Sequence, residues 1–290
     1  MPACLTHYYF AKNVLNALPA QERDTVNECA YYWGAQGPDF LFCHRYFPWM
    51  KGKSLKKYGH TFHAAKPSEI LGAMREFLKK HSEPIYRSYV LGFVCHYSLD
   101  STAHPYINMF AQELVEKNPK ENRTTMHGEI EASLDAIMLR RETGMLPTDV
   151  NLKRMFPKNE AVQRAIAKLY RFVIFSVFHK DEEEKELYRA TKDAHFVFAC
   201  LNDRTGLKRK FFDRLERGKP HYVTSHIVPM TEDADIDFAN IQNREWKAGE
   251  IVSSQNFFEL AEEAQGRAEA LISVFDDCDI AAITGEKPFG

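Results

Sequence analysis

An all-α, single-domain fold is predicted by three features of the 290-residue sequence. Apolar residues recur at three- and four-residue spacing over long stretches, proline and glycine punctuate the ends of those stretches, and two-residue alternation is scarce. Hydrophobic residues at 44% and charged residues at 27% exclude intrinsic disorder. Lysine and arginine number 38 against 40 acids, a net charge of -2. No strongly basic surface is implied, and no stable nucleic-acid partner is expected.

Taken in order, an early helical segment carries His7 at its head, and residues 67–81 read as the next helix. Residues 84–103 form a helix of about 20 residues, roughly 30 Å long. It opens on Pro84, a favoured first-turn residue, and is expected to stop before Pro105. Its middle, Tyr89-Val90-Leu91-Gly92-Phe93-Val94-Cys95, is apolar all round, which places it at the centre of the protein. Residues 121–142 form another helix, closed by Gly144 and Pro147. Residues 159–179 follow, with Val162, Ile166, Leu169, Val173 and Phe178 along one stripe. Further helices are expected at 184–202, 207–217 and 254–276, and loops at 35–58 and 218–242. The amphipathic 254–276 segment needs a partner surface. The chain is therefore read as one unit, 1–290, with a helical extension from about residue 159 to 290 packed on the rest.

The six cysteines (Cys4, Cys29, Cys43, Cys95, Cys200 and Cys278) include no C-x-x-C pair, which argues against a disulfide framework or a thiolate zinc site. Residues 1–7 have no basic run leading into an apolar stretch, so a cytoplasmic location is expected. The longest apolar runs, 89–95 and 172–178, are too short to span a bilayer.

Eight of the twelve histidines fall within residues 7–127. The strongest pattern is His96-x3-Asp100-x3-His104. Each four-residue step advances about 40° around a helix, so the three side chains share one face. That face belongs to the most apolar helix of the chain, where ionisable groups are costly unless a partner satisfies them. A metal ion is such a partner, since imidazole and carboxylate are standard zinc ligands. His127-x3-Glu131 repeats the geometry on the next helix. Either pair alone would ordinarily be a surface ion pair or a satisfied core histidine; their succession is what points to metal. Four further candidates lie upstream: Asp39, closing the turn Gly34-Ala35-Gln36-Gly37-Pro38-Asp39, then His60 and His63 ahead of the Pro67 helix, and finally His7.

In this order, His7, Gly-Pro-Asp39, His63, His96-x3-Asp100-x3-His104 and His127-x3-Glu131 resemble the zinc-dependent phospholipase C family, of which fungal single-strand nucleases are more distant relatives. The resemblance implies an all-α fold and two to three Zn2+ ions held within residues 7–131. It implies that Asp39, His63, His96 and Asp100 hold one zinc. His104, His127 and Glu131 would hold a second, with room left for water. Asp100 would reach on to a third, shared with His7. His60 stands as the alternative to His63. In secreted relatives an N-terminal Trp closes the third site. Here the chain begins Met1-Pro2, so that site is empty, completed by water, or closed by the chain's own N-terminus, with the Pro2 amine as ligand once Met1 is removed.

Such a cluster suits hydrolysis of phosphodiester bonds by a metal-activated hydroxide attacking phosphorus. Metal lowers the pKa of bound water towards about 7, and a neighbouring ion stabilises the leaving oxygen. Asp39, by resemblance a proton acceptor, and Glu131 are the expected catalytic residues. The expected substrate is a small-molecule or lipid phosphoester. The aromatic residues Tyr31, Tyr32, Trp33, Phe40, Phe42, Tyr46, Phe47 and Trp49 fit three roles: a lipid-accepting rim, a stacking surface for bases, or plain core. Two other functions fit the same residues, a nuclease of the related type and a non-catalytic protein with structural zinc. The remaining histidines, His44, His81, His179, His195, His221 and His226, have no partner at chelating spacing and read as structural or solvated. The basic stretch Lys208-Arg209-Lys210 with Arg214 is interrupted by Asp213 and reads as ordinary surface.

Overall fold

The computed structural model describes residues 4–290. It contains α1 (Cys4–Ala17), α2 (Ala20–Arg23), α3 (Glu28–Ala35), α4 (Lys56–Ala64), α5 (Pro67–Leu78), α6 (Pro84–Lys117), α7 (Arg123–Thr143), α8 (Glu160–Phe178), α9 (Glu184–Leu201), α10 (Leu207–Leu215), β1 (Trp246–Ala248), β2 (Ile251–Ser253), α11 (Phe257–Val274) and α12 (Ile280–Thr284). The fold is all-α, as the helical spacing predicts. The expected Pro2 ligand lies outside the described residues.

α6 is the axis of the molecule. Every residue from Ser88 to His104 is buried, and α3, α11, α7, α1, α5 and α8 pack around it. It does not stop before Pro105 as expected, but runs through it to Lys117, 34 residues in all. Proline removes one amide that would have bonded the Ser101 carbonyl. That loss is outweighed because the helix is held on both sides of the proline. Beyond it, Tyr106, Ile107, Phe110, Ala111 and Leu114 are buried, and the Tyr106 hydroxyl donates to the Phe238 carbonyl at 2.9 Å. Tertiary packing overrides a local break signal here.

Two glycines set the closest crossing. A Cβ on Gly34 of α3 would lie 2.0 Å from the Tyr89 carbonyl oxygen, and one on Gly92 of α6 would lie 2.0 Å from the Tyr31 carbonyl oxygen. Backbone therefore rests on backbone, and the turn that follows α3 is delivered directly to the middle of α6.

Capping chemistry fixes the other ends. Asn122 and Thr125 form a reciprocal capping box at the start of α7, which Gly144 closes in the left-handed region at φ 69. Asn159 caps α8, and Asn256 with Glu259 caps α11. α11 lies on α6 and α1, which supplies the partner surface its amphipathic pattern requires. The loop expected at 35–58 contains a 3-10 turn, Asp39–Cys43, and the start of α4. The antiparallel β1–β2 hairpin, paired Trp246 to Ser253 and Ala248 to Ile251, was not expected. Its strands are three residues long, too short for alternation to register. No disulfide joins the cysteines among the described residues, and no helix there is long and apolar enough to cross a membrane.

Candidate metal centre

Five elements deliver the eight singled-out residues to one place. α1 brings His7, the 3-10 turn brings Asp39, α4 brings His63, α6 brings His96, Asp100 and His104, and α7 brings His127 and Glu131. They fall into three groups whose ligand atoms lie within 4.8 Å of one another: His7, His96 and Asp100; Asp39, His63 and His96; and His104, His127 and Glu131.

Asp100 sits at the junction. Its Oδ1 faces His7 Nε2 at 3.2 Å, while Oδ2 faces His96 Nε2 at 3.2 Å and His63 Nε2 at 3.4 Å. His63 Nε2 also lies 3.2 Å from Asp39 Oδ1. In the third group, His127 Nε2 is 3.1 Å and His104 Nε2 3.7 Å from Glu131 Oε1. His60 takes no part: it is exposed, with its ring against Phe42 at 4.8 Å.

The remaining imidazole nitrogens are held from behind. His63 Nδ1 donates to the Gly59 carbonyl at 2.7 Å, His104 Nδ1 donates to the Phe289 carbonyl at 2.7 Å, and His127 Nδ1 lies 3.2 Å from Asn108 Oδ1. A carbonyl can only accept, so these bonds put the proton on Nδ1 and leave the Nε2 lone pair aimed into the cluster, the arrangement found behind metal-bound histidines. Gly37, at φ 54, allows the turn before Asp39 to press on His96; a Cβ there would meet that ring at 2.2 Å.

Burial drives the electrostatics. It pulls His7, His63 and His104 down, but the carboxylates beside them win and hold all three above the ordinary imidazole value. For His104 the opposing groups are Asp100 and Glu131, and the result is about 10. Burial dominates at His96 and pushes it well down, to a neutral imidazole. It also pushes Asp39 up, against His63, to about 6. For Asp100 burial is overcome by His96, His104, His7 and His63, and for Glu131 by His127 and His104; both carboxylates stay well below their usual range.

Both nitrogens of His96, His7 Nδ1 and Glu131 Oε2 are buried without any hydrogen-bond partner. Such orphans are rare in folded proteins. Imidazoles and carboxylates converging at this spacing fit zinc, which takes both as ligands once they give up their protons.

Two groups in this constellation escaped the sequence reading although their signal is present. Asn108 continues the four-residue series His96, Asp100, His104, and Asp135 continues His127, Glu131. Asp135 does not face the cluster. It accepts the amide hydrogens of Leu5 and Thr6 at 3.1 and 2.7 Å, and so anchors the helix that carries His7. The third, the Phe289 carbonyl, has no local signal.

The aromatic residues divide sharply. Tyr31, Trp33 and Phe40 are fully buried core, which removes them from any rim. Phe42, Tyr46 and Phe47 are half-buried and Trp49 is 68% exposed. Half of the basic stretch is committed internally: Lys208 donates to the Cys200 and Asn202 carbonyls, and Arg209 to those of Thr224 and Ile227 and to Glu129, while Lys210 and Arg214 are exposed.

Compared with known proteins, residues 6–180, more than half of the chain, match the family described as zinc dependent phospholipase C. No curated protein matches the chain, and no solved structure matches it.

Proposed function

Since the chain belongs to the zinc dependent phospholipase C family, we propose that it is a zinc-dependent hydrolase of phosphodiester bonds in lipid-like substrates. The observation that carries this reading is the third ligand group. Among the described residues, His104, His127 and Glu131 supply three protein ligands, and the His127 side chain is 27% exposed, the most open of those in the cluster's ion pairs. A structural zinc is closed by four protein ligands, whereas a catalytic one keeps a position for water and substrate.

Asp39, His63, His96 and Asp100 are assigned to one zinc, His104, His127 and Glu131 to a second, and His7 with Asp100 to a third. Bound zinc supplies Lewis acidity to the phosphoryl oxygens and acidifies water. The protein's own groups do the rest. Asp39, a buried carboxylate raised to about 6, accepts a proton from the attacking water. Glu131 Oε2 is buried and has no hydrogen-bond partner, which leaves it free for a metal ion or its bound water. His63 and His127, the partly exposed ligands, mark the side from which substrate enters.

A lipid-like substrate is favoured over nucleic acid by what surrounds that side. The segment 44–55 joins the turn bearing Asp39 to the helix bearing His63. It exposes Trp49, which stacks on Phe47 at 4.6 Å with the planes 7° apart, and Phe47 in turn lies 5.7 Å from Phe196. Lys51, Lys53, Lys56 and Lys57 are exposed around it. Glu182 lies 3.8 Å from Lys53 and from Lys57, while Lys51 and Lys56 have no acidic partner among the described residues. An exposed indole flanked by lysines suits a phospholipid surface. Trp33 and Trp246 are buried, so Trp49 dominates any solvent-sensitive emission. Phosphatidylcholine vesicles containing anionic lipid are expected to shift that emission to the blue, and Trp49→Ala to abolish the shift. An unchanged spectrum would remove the lipid surface from the proposal.

The reaction itself is tested by elemental analysis and turnover. Two to three zinc ions per chain are expected, with hydrolysis of a chromogenic phosphocholine ester exceeding that of single-stranded DNA. Glu131→Gln should lower turnover by about 10²-fold or more with the circular dichroism spectrum retained. A metal-free purified protein, or full activity in that variant, would refute the assignment.

A further inference from the structure

We propose that residues 287–290 are a working part of the metal centre, with the Phe289 backbone carbonyl acting as the positioning group for His104. This rests on the reading that His104, His127 and Glu131 hold a metal.

His104 Nδ1 has two acceptors in reach. The Phe289 carbonyl oxygen is at 2.7 Å and Asp100 Oδ2 at 3.8 Å. The choice between them decides the geometry of two sites. Bonded to Phe289, the imidazole presents its Nε2 lone pair towards Glu131, and Asp100 Oδ2 is left to His96 and His63. Bonded to Asp100, the ring turns away from Glu131 and occupies the oxygen that the neighbouring group needs. A metal-ligating histidine is ordinarily held by such a partner, whose loss weakens metal binding about 10–100-fold.

The segment is seated firmly enough for the task. The Phe289 ring is fully buried, with its centroid 4.9 Å from that of Tyr97, 5.8 Å from Phe93, 6.0 Å from His63 and 6.4 Å from His96. The Tyr97 hydroxyl donates to the Lys287 carbonyl at 3.0 Å. Immediately after Phe289, a Cβ at Gly290 would fall 2.5 Å from His104 Nδ1, so the backbone lies directly on the imidazole and a side chain there would displace it. One aromatic anchor thus seals the inner wall of the cluster while its own carbonyl orients a ligand.

The experiment compares the full chain with a chain stopped after Glu286, with Gly290→Val and with Phe289→Leu, which keeps an apolar anchor. Two readouts are taken. Proton–nitrogen NMR of the metal-free protein reports the His104 Nδ1 proton through its chemical shift and its protection from exchange. Titration with Co2+ followed by visible absorption, with chelator competition, resolves the individual metal sites. The full chain should show a protected Nδ1 proton. The stopped chain and Gly290→Val should lose that protection or shift the resonance, and weaken one Co2+ site about 10–100-fold, leaving the others bound. Phe289→Leu should keep most of the affinity. The proposal is overturned if the stopped chain keeps both the Nδ1 signal and the isotherm, even if its turnover rises, or if all sites weaken together through general loosening. A full chain that binds no Co2+ at all refutes the metal reading instead, and the Nδ1 comparison still decides the role of Phe289.

Discussion

The carboxylate of Asp135 accepts the first free amides of α1, from Leu5 and Thr6, in a site sealed from solvent. Burial pushes this carboxyl up to about 7, against the pull of those two amides. The arrangement answers a need common to all helices, since amides of the first turn have no partner within the helix. It also fixes the residue that follows, His7. Asp135→Ala leaves two buried donors unsatisfied, at about 1–3 kcal/mol each before relaxation. Urea denaturation should register a loss in that range. Metal stoichiometry should fall first at the group containing His7, while the group of His104, His127 and Glu131 stays filled. A variant with unchanged midpoint and unchanged stoichiometry would show that α1 is held by its apolar face alone.

At the scale of elements, the readable part of the centre is the part written along helices. His96, Asp100 and His104 on α6 and His127 and Glu131 on α7 announce themselves because a four-residue step keeps side chains on one face. Asn108 and Asp135 extend the same series, but an amide and a second acid carry no ligand signature by themselves. Phe289 was invisible for a different reason: its contact with His104 spans 185 residues and uses a backbone carbonyl, which no residue type encodes. The fold has the same boundary. The apolar run in α6 foretold its central place, but Pro105 masked its length, because the packing that carries the helix past the proline is long-range. The crossing of α3 on α6 likewise depends on partners far apart in sequence, and it makes a sharp forecast. Gly92→Ala sets a methyl 2.0 Å from the Tyr31 carbonyl oxygen, so the two helices must part. Overpacking of this kind costs about 1–3 kcal/mol or more. Gly72 in α5 has nothing within 4 Å of the corresponding position, and Gly72→Ala should instead stabilise by up to about 1 kcal/mol through helix propensity. Thermal melting of the two variants should move in opposite directions; equal shifts would mean the crossing can slide open without strain.

For the whole molecule, the question is what keeps five imidazoles and three carboxylates together in the interior. Without metal, the cluster balances its charges by holding protons. His7, His63 and His104 stand above the ordinary imidazole value of 6.5, His104 at about 10, and Asp39 is raised to about 6. A group raised on folding stabilises the fold below its unfolded value and loses that contribution as pH climbs through the folded one. Metal-free protein should therefore weaken steadily from about pH 6.5 towards pH 10. His96, pushed well down, has the opposite sign and weakens the fold below 6.5. Asp100 and Glu131, held low, lose their contribution only far into acid. Zinc requires its ligands deprotonated, so its affinity rises across the interval in which the metal-free cluster is losing stability. An ion that binds only the folded state adds stability in proportion to the logarithm of its concentration over its dissociation constant. The gap in melting temperature between zinc-loaded and chelator-treated protein is thus expected to be small near pH 6.5 and to widen at pH 7, 8 and 9. A gap that stays constant over this range would mean that metal and protons do not compete for the same nitrogens, and that ion pairing alone holds the cluster together.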